Sequence, residues 1–220
     1  MFNRPQIRDI LKDGQINTAM GWEQDIVEVY GWVVTKRSQK SFSFIELNDG
    51  SSLNGLQIIV DNTVPNYDVN IPQTVTGTSL RIVGRVVASK GANQTIEVHA
   101  DELEVIGTVS DSYPLQKKRQ GPELLRTNAH IRVRTKVMAM STRVRAACAQ
   151  AIHKFFRDHN FYYVHTPIIT TSDCEGAGEM FQVTTLDLEN PPRLDNKPDA
   201  PIDFSKDFFG KKTFLTVSGQ

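Results

Sequence analysis

The chain has 220 residues, of which 39% are hydrophobic and 23% charged, and its formal net charge is zero. These values predict a globular protein of one large or two modest domains, and they exclude a protein that coats nucleic acid by bulk charge alone. No apolar run is long enough to cross a membrane, and the polar N-terminus is unlike a signal peptide. With two cysteines, Cys148 and Cys174, we expect a cytoplasmic location rather than a disulfide-bonded scaffold.

The first half of the chain has the pattern of a small β domain. Five segments are rich in β-branched and aromatic residues and are separated by turn signals rich in Asn, Asp, Gly and Pro. The segments are 25–34, 41–47, 55–60, 79–88 and 94–106. Five short strands at this spacing predict a closed barrel or a sandwich, and the glycines at 31 and 84 suggest tight bends within it.

A polar stretch at 107–128 predicts a linker, after which the periodicity becomes helical. Over 131–158, apolar residues recur every three or four positions, as in an amphipathic helix that Asn160 could end. The apolar positions are Val133, Val137, Met140, Val144, Ala147, Cys148, Ala151, Ile152 and Phe155.

Beyond this helix the sequence predicts short strands and loops. Residues 161–169 look like a strand, with Pro167 at an edge or bend, because proline cannot donate a ladder hydrogen bond. Residues 172–180 form a glycine-rich acidic loop, and 187–212 predict an irregular insertion. The closing residues KTFLTVSGQ predict another strand. The five histidines show no metal-ligand spacing, so no metal site and no catalytic residue is assigned.

Residues of the β domain resemble the OB-fold barrel of the class IIb aminoacyl-tRNA synthetases, the aspartyl, asparaginyl and lysyl enzymes. The similar segments are GWVVTKR (31–37), FSFIELNDG (42–50) and LQIIV (56–60). The resemblance implies that Phe44 stacks on an anticodon base and that Gln57 hydrogen-bonds another. It places Lys36 and Arg37 beside the RNA backbone or the first anticodon base. Taken alone, two phenylalanines in a β domain would usually be core aromatics, and this alternative applies to Phe42 and Phe44.

The second half resembles the opening of a class II catalytic domain. The helix and the following FYYVHTPII segment are similar to motif 1 of that family, which implies a dimer interface that includes Pro167. The loop residues Glu-Gly-Ala (175–177) resemble a mobile lid, whose glutamate, Glu175, would bind the ammonium group of the amino acid. Ser218 and Gln220 match the pocket strand, and the Ser-Gly-Gln ending follows the asparaginyl pattern.

The resemblance implies a β-barrel (OB-fold) domain and the start of an α+β class II catalytic domain with a mixed, mainly antiparallel sheet. Residues 1–108 would be the anticodon-binding domain, 109–129 a linker and 130–220 the incomplete catalytic domain. The implied activity is asparagine–tRNA ligation by a homodimer. Asparagine and tRNA(Asn) would be the substrates, and ATP and Mg²⁺ the cofactors.

Motifs 2 and 3, which carry the ATP-binding arginines of the family, have no match in this sequence. We therefore expect an N-terminal fragment that is inactive as a ligase by itself, with the ATP and Mg²⁺ sites largely beyond residue 220. Two alternatives stay open at this point: a non-catalytic module that binds the anticodon, and a relative of the aspartyl enzymes.

Overall fold

The computed structural model describes residues 4–16, 26–89, 91, 94–118, 120–172, 176 and 179–219. The chain divides into two compact units, Met1–Gln150 and Ala151–Gln220. No helix in the described part of the chain is long and apolar enough to cross a membrane. The domain boundaries at 108 and 129 stay predictions.

The first unit contains a closed five-stranded barrel, which confirms the barrel prediction over the sandwich. Around the barrel the strand order is β1-β2-β3-β5-β4, and β4 pairs with β1 to close it. All neighbouring strands are antiparallel except β3 and β5, which run parallel. The strands are β1 (Ile26–Ser38), β2 (Phe42–Asn48), β3 (Leu56–Asp61), β4 (Ser79–Ala88) and β5 (Ile96–Gly107).

Alternation of side chains along the strands separates the barrel core from its outer face. In β2, for example, Ile45 and Leu47 are fully buried, whereas Phe44 between the buried positions is only partly buried. The two predicted bends are sites of close backbone approach. A Cβ atom on Gly31 would lie 2.8 Å from the Asn48 carbonyl oxygen, and one on Gly84 would lie 2.2 Å from that of His99. Only glycine leaves room for these approaches.

Two helices in this unit were not predicted from the sequence, which gave no element for the first and a loop for the second. Helix α1 (Ile7–Ile16) buries Ile7 and Ile10 completely in the barrel core. Helix α2 (Tyr67–Gln73) follows Pro65, contains Pro72 in its last turn and buries Ile71. Packing of one or two apolar side chains against the core stabilises short helices that propensity alone would not.

The predicted linker contains ordered structure. Helix α3 (Pro122–Thr127) begins there, and both Leu115 and Leu125 are buried. A 3₁₀ turn at Arg132–Arg134 precedes helix α4 (Lys136–Asp158), which confirms the predicted long helix.

The described end of α4 agrees with the predicted stop signal. Asn160 has a left-handed backbone conformation, with φ of 64°, and the amide of Phe161 donates back to the Phe156 carbonyl at 3.0 Å. This is a helix C-terminal motif in which the last carbonyl groups gain donors.

The second unit is a small three-stranded sheet with a long irregular insertion. Its strand order is β6-β8-β7, antiparallel throughout, and the strands are β6 (Ile169–Thr170), β7 (Gln182–Val183) and β8 (Thr213–Leu215). The strand predicted over 161–169 is wrong for most of its length: pairing begins only at Ile168, whose carbonyl accepts from the Thr216 amide at 2.8 Å. No described strand lies beside residues 161–167, and an unpaired segment cannot be assigned to a sheet.

Candidate nucleic-acid interface

An open groove of about 980 Å³ runs along the outside of the barrel. Its floor is formed by the outward side chains of β2 and β3, and α1 contributes to the lining. Three of the four predicted anticodon residues, Arg37, Phe44 and Gln57, lie in this groove. The barrel thus brings together three predicted residues that lie on three different strands, β1, β2 and β3.

Phe44 is a partly buried aromatic of the outer face, so it is not a core residue. Its ring meets that of Phe42 edge to face, with centroids 5.0 Å apart and an interplanar angle of 89°. Phe42 thereby supports the Phe44 ring from the side. A supported ring that stays accessible in a groove can stack on a flat base.

Gln57 is held by a carboxylate that the sequence analysis did not identify. The amide Nε2 of Gln57 donates to Glu97 Oε2 at 3.1 Å. Ser89 Oγ donates to the same oxygen at 2.8 Å and Gln94 Nε2 at 3.0 Å, and Glu97 is 7% exposed. With its Nε2 oriented in this way, Gln57 keeps its carbonyl oxygen and a second N–H for a ligand.

Lys36 and Arg37 lie on opposite faces of β1. Arg37 pairs in register with Phe44 and lies in the groove, whereas Lys36 pairs with the inward-facing Ile45. The Lys36 ammonium donates to the Ile71 carbonyl of α2 at 2.5 Å, and burial lowers the pKa of Lys36 below its ordinary value. The structure therefore gives Lys36 a packing position, and it is absent from the groove lining.

Three residues that line or support the groove were not predicted from the sequence: Glu97, Arg8 and Lys12. Glu97 comes from β5, which is far from Gln57 in sequence but close to it in the barrel. Arg8 and Lys12 belong to α1, which was not predicted. A weak signal was present in Ile7, Ile10 and Leu11, whose spacing of three and four is helical.

The predicted asparagine-binding residues fall in the second unit. Glu175 and Gln220 lie outside the described residues. Ser218 follows β8 in a turn where the Thr216 hydroxyl donates to the Ser218 carbonyl at 2.6 Å. Across from this turn, a Cβ atom on Gly219 would lie 3.3 Å from the Thr166 hydroxyl oxygen, so the two segments run side by side.

Pro167 and the neighbouring residues of the predicted motif 1 expose apolar surface. The segment from Phe161 to Ile168 is exposed, with Tyr162 at 95%. The apolar positions of α4 are also exposed, from Val137 at 70% to Phe155 at 57%, and none of its residues is buried. The Cys148 thiol shares this exposure.

One buried carboxylate, Asp207, holds the base of the insertion, meaning the place where its C-terminal end meets the residues just after β7. It accepts hydrogen bonds from the Thr184 hydroxyl at 2.6 Å, from the Thr185 amide at 2.9 Å and hydroxyl at 2.8 Å, and from the Phe208 amide at 2.8 Å. These four donors, led by the Thr184 hydroxyl, hold the pKa of Asp207 well below its ordinary value. The carboxylate thus joins the end of the insertion to the residues just after β7.

Comparison with known families agrees with this architecture. Residues 27–106 match the family described as OB-fold nucleic acid binding domain. Residues 121–194 match the family described as tRNA synthetases class II (D, K and N).

Individual relatives match almost the whole chain. The asparagine–tRNA ligase of Thermosynechococcus vestitus is 51% identical over 216 residues, which are 98% of this chain and 45% of the relative. The asparagine–tRNA ligase of Nostoc sp. is 50% identical over 221 aligned positions, covering 100% of this chain and 45% of the relative. The chain therefore spans a little under half the length of these curated relatives.

Among solved structures, asparaginyl-tRNA synthetase from Pyrococcus horikoshii complexed with asparaginyl-adenylate has the same fold over this region. The TM-score is 0.75 at 22% identity, and the match covers 100% of this chain and 44% of the other.

Proposed function

We propose that this chain, which belongs to the asparaginyl-tRNA synthetase family and corresponds to its N-terminal portion, binds the anticodon loop of tRNA(Asn) in the barrel groove. The observation that carries the proposal is the accessible Phe44 ring beside an oriented Gln57 amide. Phe44 stacks on one unpaired base, and Gln57 reads the edge of a base. Recognition of single-stranded RNA loops uses this combination of stacking and base-edge hydrogen bonds.

Arg37 completes the proposed anticodon site as a cation for the RNA backbone or the first anticodon base. It is exposed in the groove, opposite Phe44 in the β1–β2 register. Lys36, the fourth predicted residue, acts indirectly in this proposal. Its bond to the Ile71 carbonyl anchors β1 to α2 and so fixes the strand that carries Arg37.

We further propose that the whole protein is an ATP-dependent asparagine–tRNA ligase of the cytoplasm, which forms an asparaginyl-adenylate and then transfers asparagine to tRNA. In this proposal Glu175 accepts hydrogen bonds from the substrate ammonium, while Ser218 and Gln220 line the side-chain pocket. A carboxylate suits an ammonium because the hydrogen bonds are charge-assisted. Sequence similarity to asparagine–tRNA ligases over nearly the whole chain supports the assignment over the aspartyl alternative.

ATP and Mg²⁺ belong to the proposed reaction through the family. In the part of the chain that the structure describes, no three His, Cys, Asp or Glu side chains are grouped so as to hold a metal ion. We therefore assign none of the described residues to Mg²⁺. Bound Mg²⁺ would neutralise charge on the ATP phosphates as the adenylate forms.

The proposed assembly of the whole protein is a homodimer. Its proposed interface is the apolar stripe of α4, meaning the exposed apolar residues of that helix from Val137 to Phe155, together with the Pro167 segment. An exposed apolar patch of this kind marks an interaction surface, and a self-complementary patch suits a two-fold dimer.

Anticodon binding can be tested directly on the 220-residue chain. We expect it to bind a tRNA(Asn) transcript at least ten-fold more tightly than the same transcript with its three anticodon bases replaced, as measured by fluorescence anisotropy. Equal affinities for the two transcripts would contradict the anticodon assignment. For the ligase proposal, the full-length protein should attach asparagine to tRNA(Asn), whereas the 220-residue chain should show no asparagine-dependent ATP–pyrophosphate exchange.

A further inference from the structure

Helix α1 is fixed against the barrel by both its core side and its N-terminus. Ile7 and Ile10 are completely buried among the barrel side chains. The backbone amide of Ile7 donates to Asp49 Oδ2 at 2.9 Å, and the amide of Arg8 donates to the Ser51 hydroxyl at 2.9 Å. Amides in the first turn of a helix have no intrahelical acceptor, so these two side chains of the β2–β3 loop cap the helix. The rotation of α1 about its axis is therefore defined.

This rotation turns a basic edge of α1 into the groove. Arg8, Leu11 and Lys12, spaced by three and four positions, line it together with Phe44 and Gln57. Arg8 and Lys12 stand four residues apart on one helix face, where two like charges destabilise an isolated helix. The described lining contains one carboxylate, Glu46, against the three cations Arg8, Lys12 and Arg37. The groove is thus left with positive charge in excess.

The groove cations differ from the arginines elsewhere on the barrel. Arg81 is paired with Glu28 at 2.6 Å and with Glu102 at 3.0 Å, and Arg85 is paired with Asp101 at 3.5 Å. Neither Lys12 nor Arg37 forms an ion pair with any residue that the structure describes. Among the described residues Arg8 is paired with its neighbour Asp9 alone, at 3.2 Å, and water weakens this interaction strongly because both side chains are accessible. The groove cations are therefore available to an external anion.

We infer that Arg8 and Lys12 bind backbone phosphates of the RNA strand whose bases contact Phe44 and Gln57, so that α1 forms one wall of the RNA site. The inference rests on the proposed anticodon function and adds to it a phosphate contact from α1. Single-stranded nucleic acid sites combine a basic track for the backbone with aromatic rings for the bases, and here both line one groove. The phosphate contacts position the strand, and the groove floor reads it.

The test is the salt dependence of binding to an RNA hairpin that carries the anticodon stem and loop of tRNA(Asn). The variant is Arg8→Gln/Lys12→Gln in the 220-residue chain, and the matched control is Lys206→Gln/Lys211→Gln, which removes two exposed cations from the insertion. Loss of two single-strand phosphate contacts should reduce the slope of log K against log salt by about 1.4. The ratio of affinities for the cognate hairpin and one with a replaced anticodon should stay the same, and the control should keep the wild-type slope.

Three results would count against the inference, and they separate it from the proposed function. An unchanged slope in the double variant, while Phe44→Ala still weakens binding, would remove α1 from the site and leave the anticodon function intact. A changed cognate ratio in the double variant would mean that the two residues read bases, which also overturns the phosphate role. If the wild-type chain does not distinguish the two hairpins, the proposed function itself fails.

Discussion

The side-chain amide of Gln57 donates a 3.1 Å hydrogen bond to the carboxylate of Glu97, across the parallel pair of β3 and β5. Glu97 is 7% exposed and has three donors on one oxygen, so its position is over-determined by the barrel. Because Gln57 donates to this fixed carboxylate, its side-chain amide is also held in one orientation. A base-reading amide that is held in place before the ligand arrives loses less entropy on binding.

Replacement of Glu97 by alanine should therefore weaken anticodon recognition without a direct loss at Gln57. A hydrogen bond to a charged group contributes roughly 1.5–3 kcal/mol, and we expect tRNA(Asn) binding to weaken by about 1–2 kcal/mol in Glu97→Ala. Isothermal titration calorimetry would measure the change. The control is Glu104→Ala, whose carboxylate is 60% exposed on the same strand; equal effects of the two variants would refute the positioning role.

Loss of the Phe44 ring should weaken binding of tRNA(Asn) by about 1–3 kcal/mol, the range for one stacked base. The matched control is Phe208→Ala, which removes a ring that is 77% exposed in the insertion. Fluorescence anisotropy with the wild-type and variant chains would measure both affinities. Unchanged binding by Phe44→Ala would return this ring to a packing role alongside Phe42.

Lys36→Met and Arg37→Met form a matched pair, because both remove one cation from neighbouring residues of β1. We expect Arg37→Met to lower tRNA affinity several-fold. Lys36→Met should leave the affinity nearly unchanged but lose the charge-assisted hydrogen bond to the Ile71 carbonyl, which contributes roughly 1.5–3 kcal/mol. Equal losses of affinity in the two variants would show that Lys36 also reaches the RNA.

The stability of the wild-type protein relative to Lys36→Met should also depend on pH. Burial lowers the pKa of Lys36 in the folded state, so the unfolded chain binds more protons just below the ordinary value of 10.5. The wild-type protein should consequently gain stability relative to Lys36→Met as the pH rises toward 10.5. Urea unfolding at several pH values would measure this difference; a difference that stays constant with pH would contradict the proposed burial cost.

Asp207→Asn should loosen the base of the insertion. The substitution removes the negative charge that accepts four hydrogen bonds, so we expect the amides of Thr185 and Phe208 to exchange hydrogen roughly ten-fold faster. In the wild type, the depressed pKa means that this stabilisation is complete above the ordinary value of 3.8 and is lost as the pH falls further below it. The internal control is the backbone amide of Asp203, whose carboxylate caps a local 3₁₀ turn. Its exchange rate should stay unchanged. Unchanged exchange at Thr185 would contradict the fastening role.

Charges placed on the apolar stripe of α4 should separate the proposed dimer. In the full-length protein, Val144→Glu/Ile152→Glu should lower the dimer fraction at least ten-fold in analytical ultracentrifugation, because unpaired charge in an apolar interface costs several kcal/mol. Arg145→Glu, an exposed position beside the stripe, is the control. Dimers that survive the double substitution would exclude α4 from the interface.

The sequence by itself determined the five barrel strands and the long helix, because the alternation of apolar residues follows directly from strand and helix geometry. It also determined the end of α4, since Asn160 tolerates the left-handed conformation of a helix stop. It left open whether Phe44 belongs to the core or to the outer face. The tertiary structure decided which residues share a surface. It joined Glu97 to Gln57, brought Arg8 and Lys12 of α1 beside Phe44, and turned Lys36 away from Arg37. These juxtapositions depend on barrel closure and strand register, which couple residues tens of positions apart, and no local pattern carries that information.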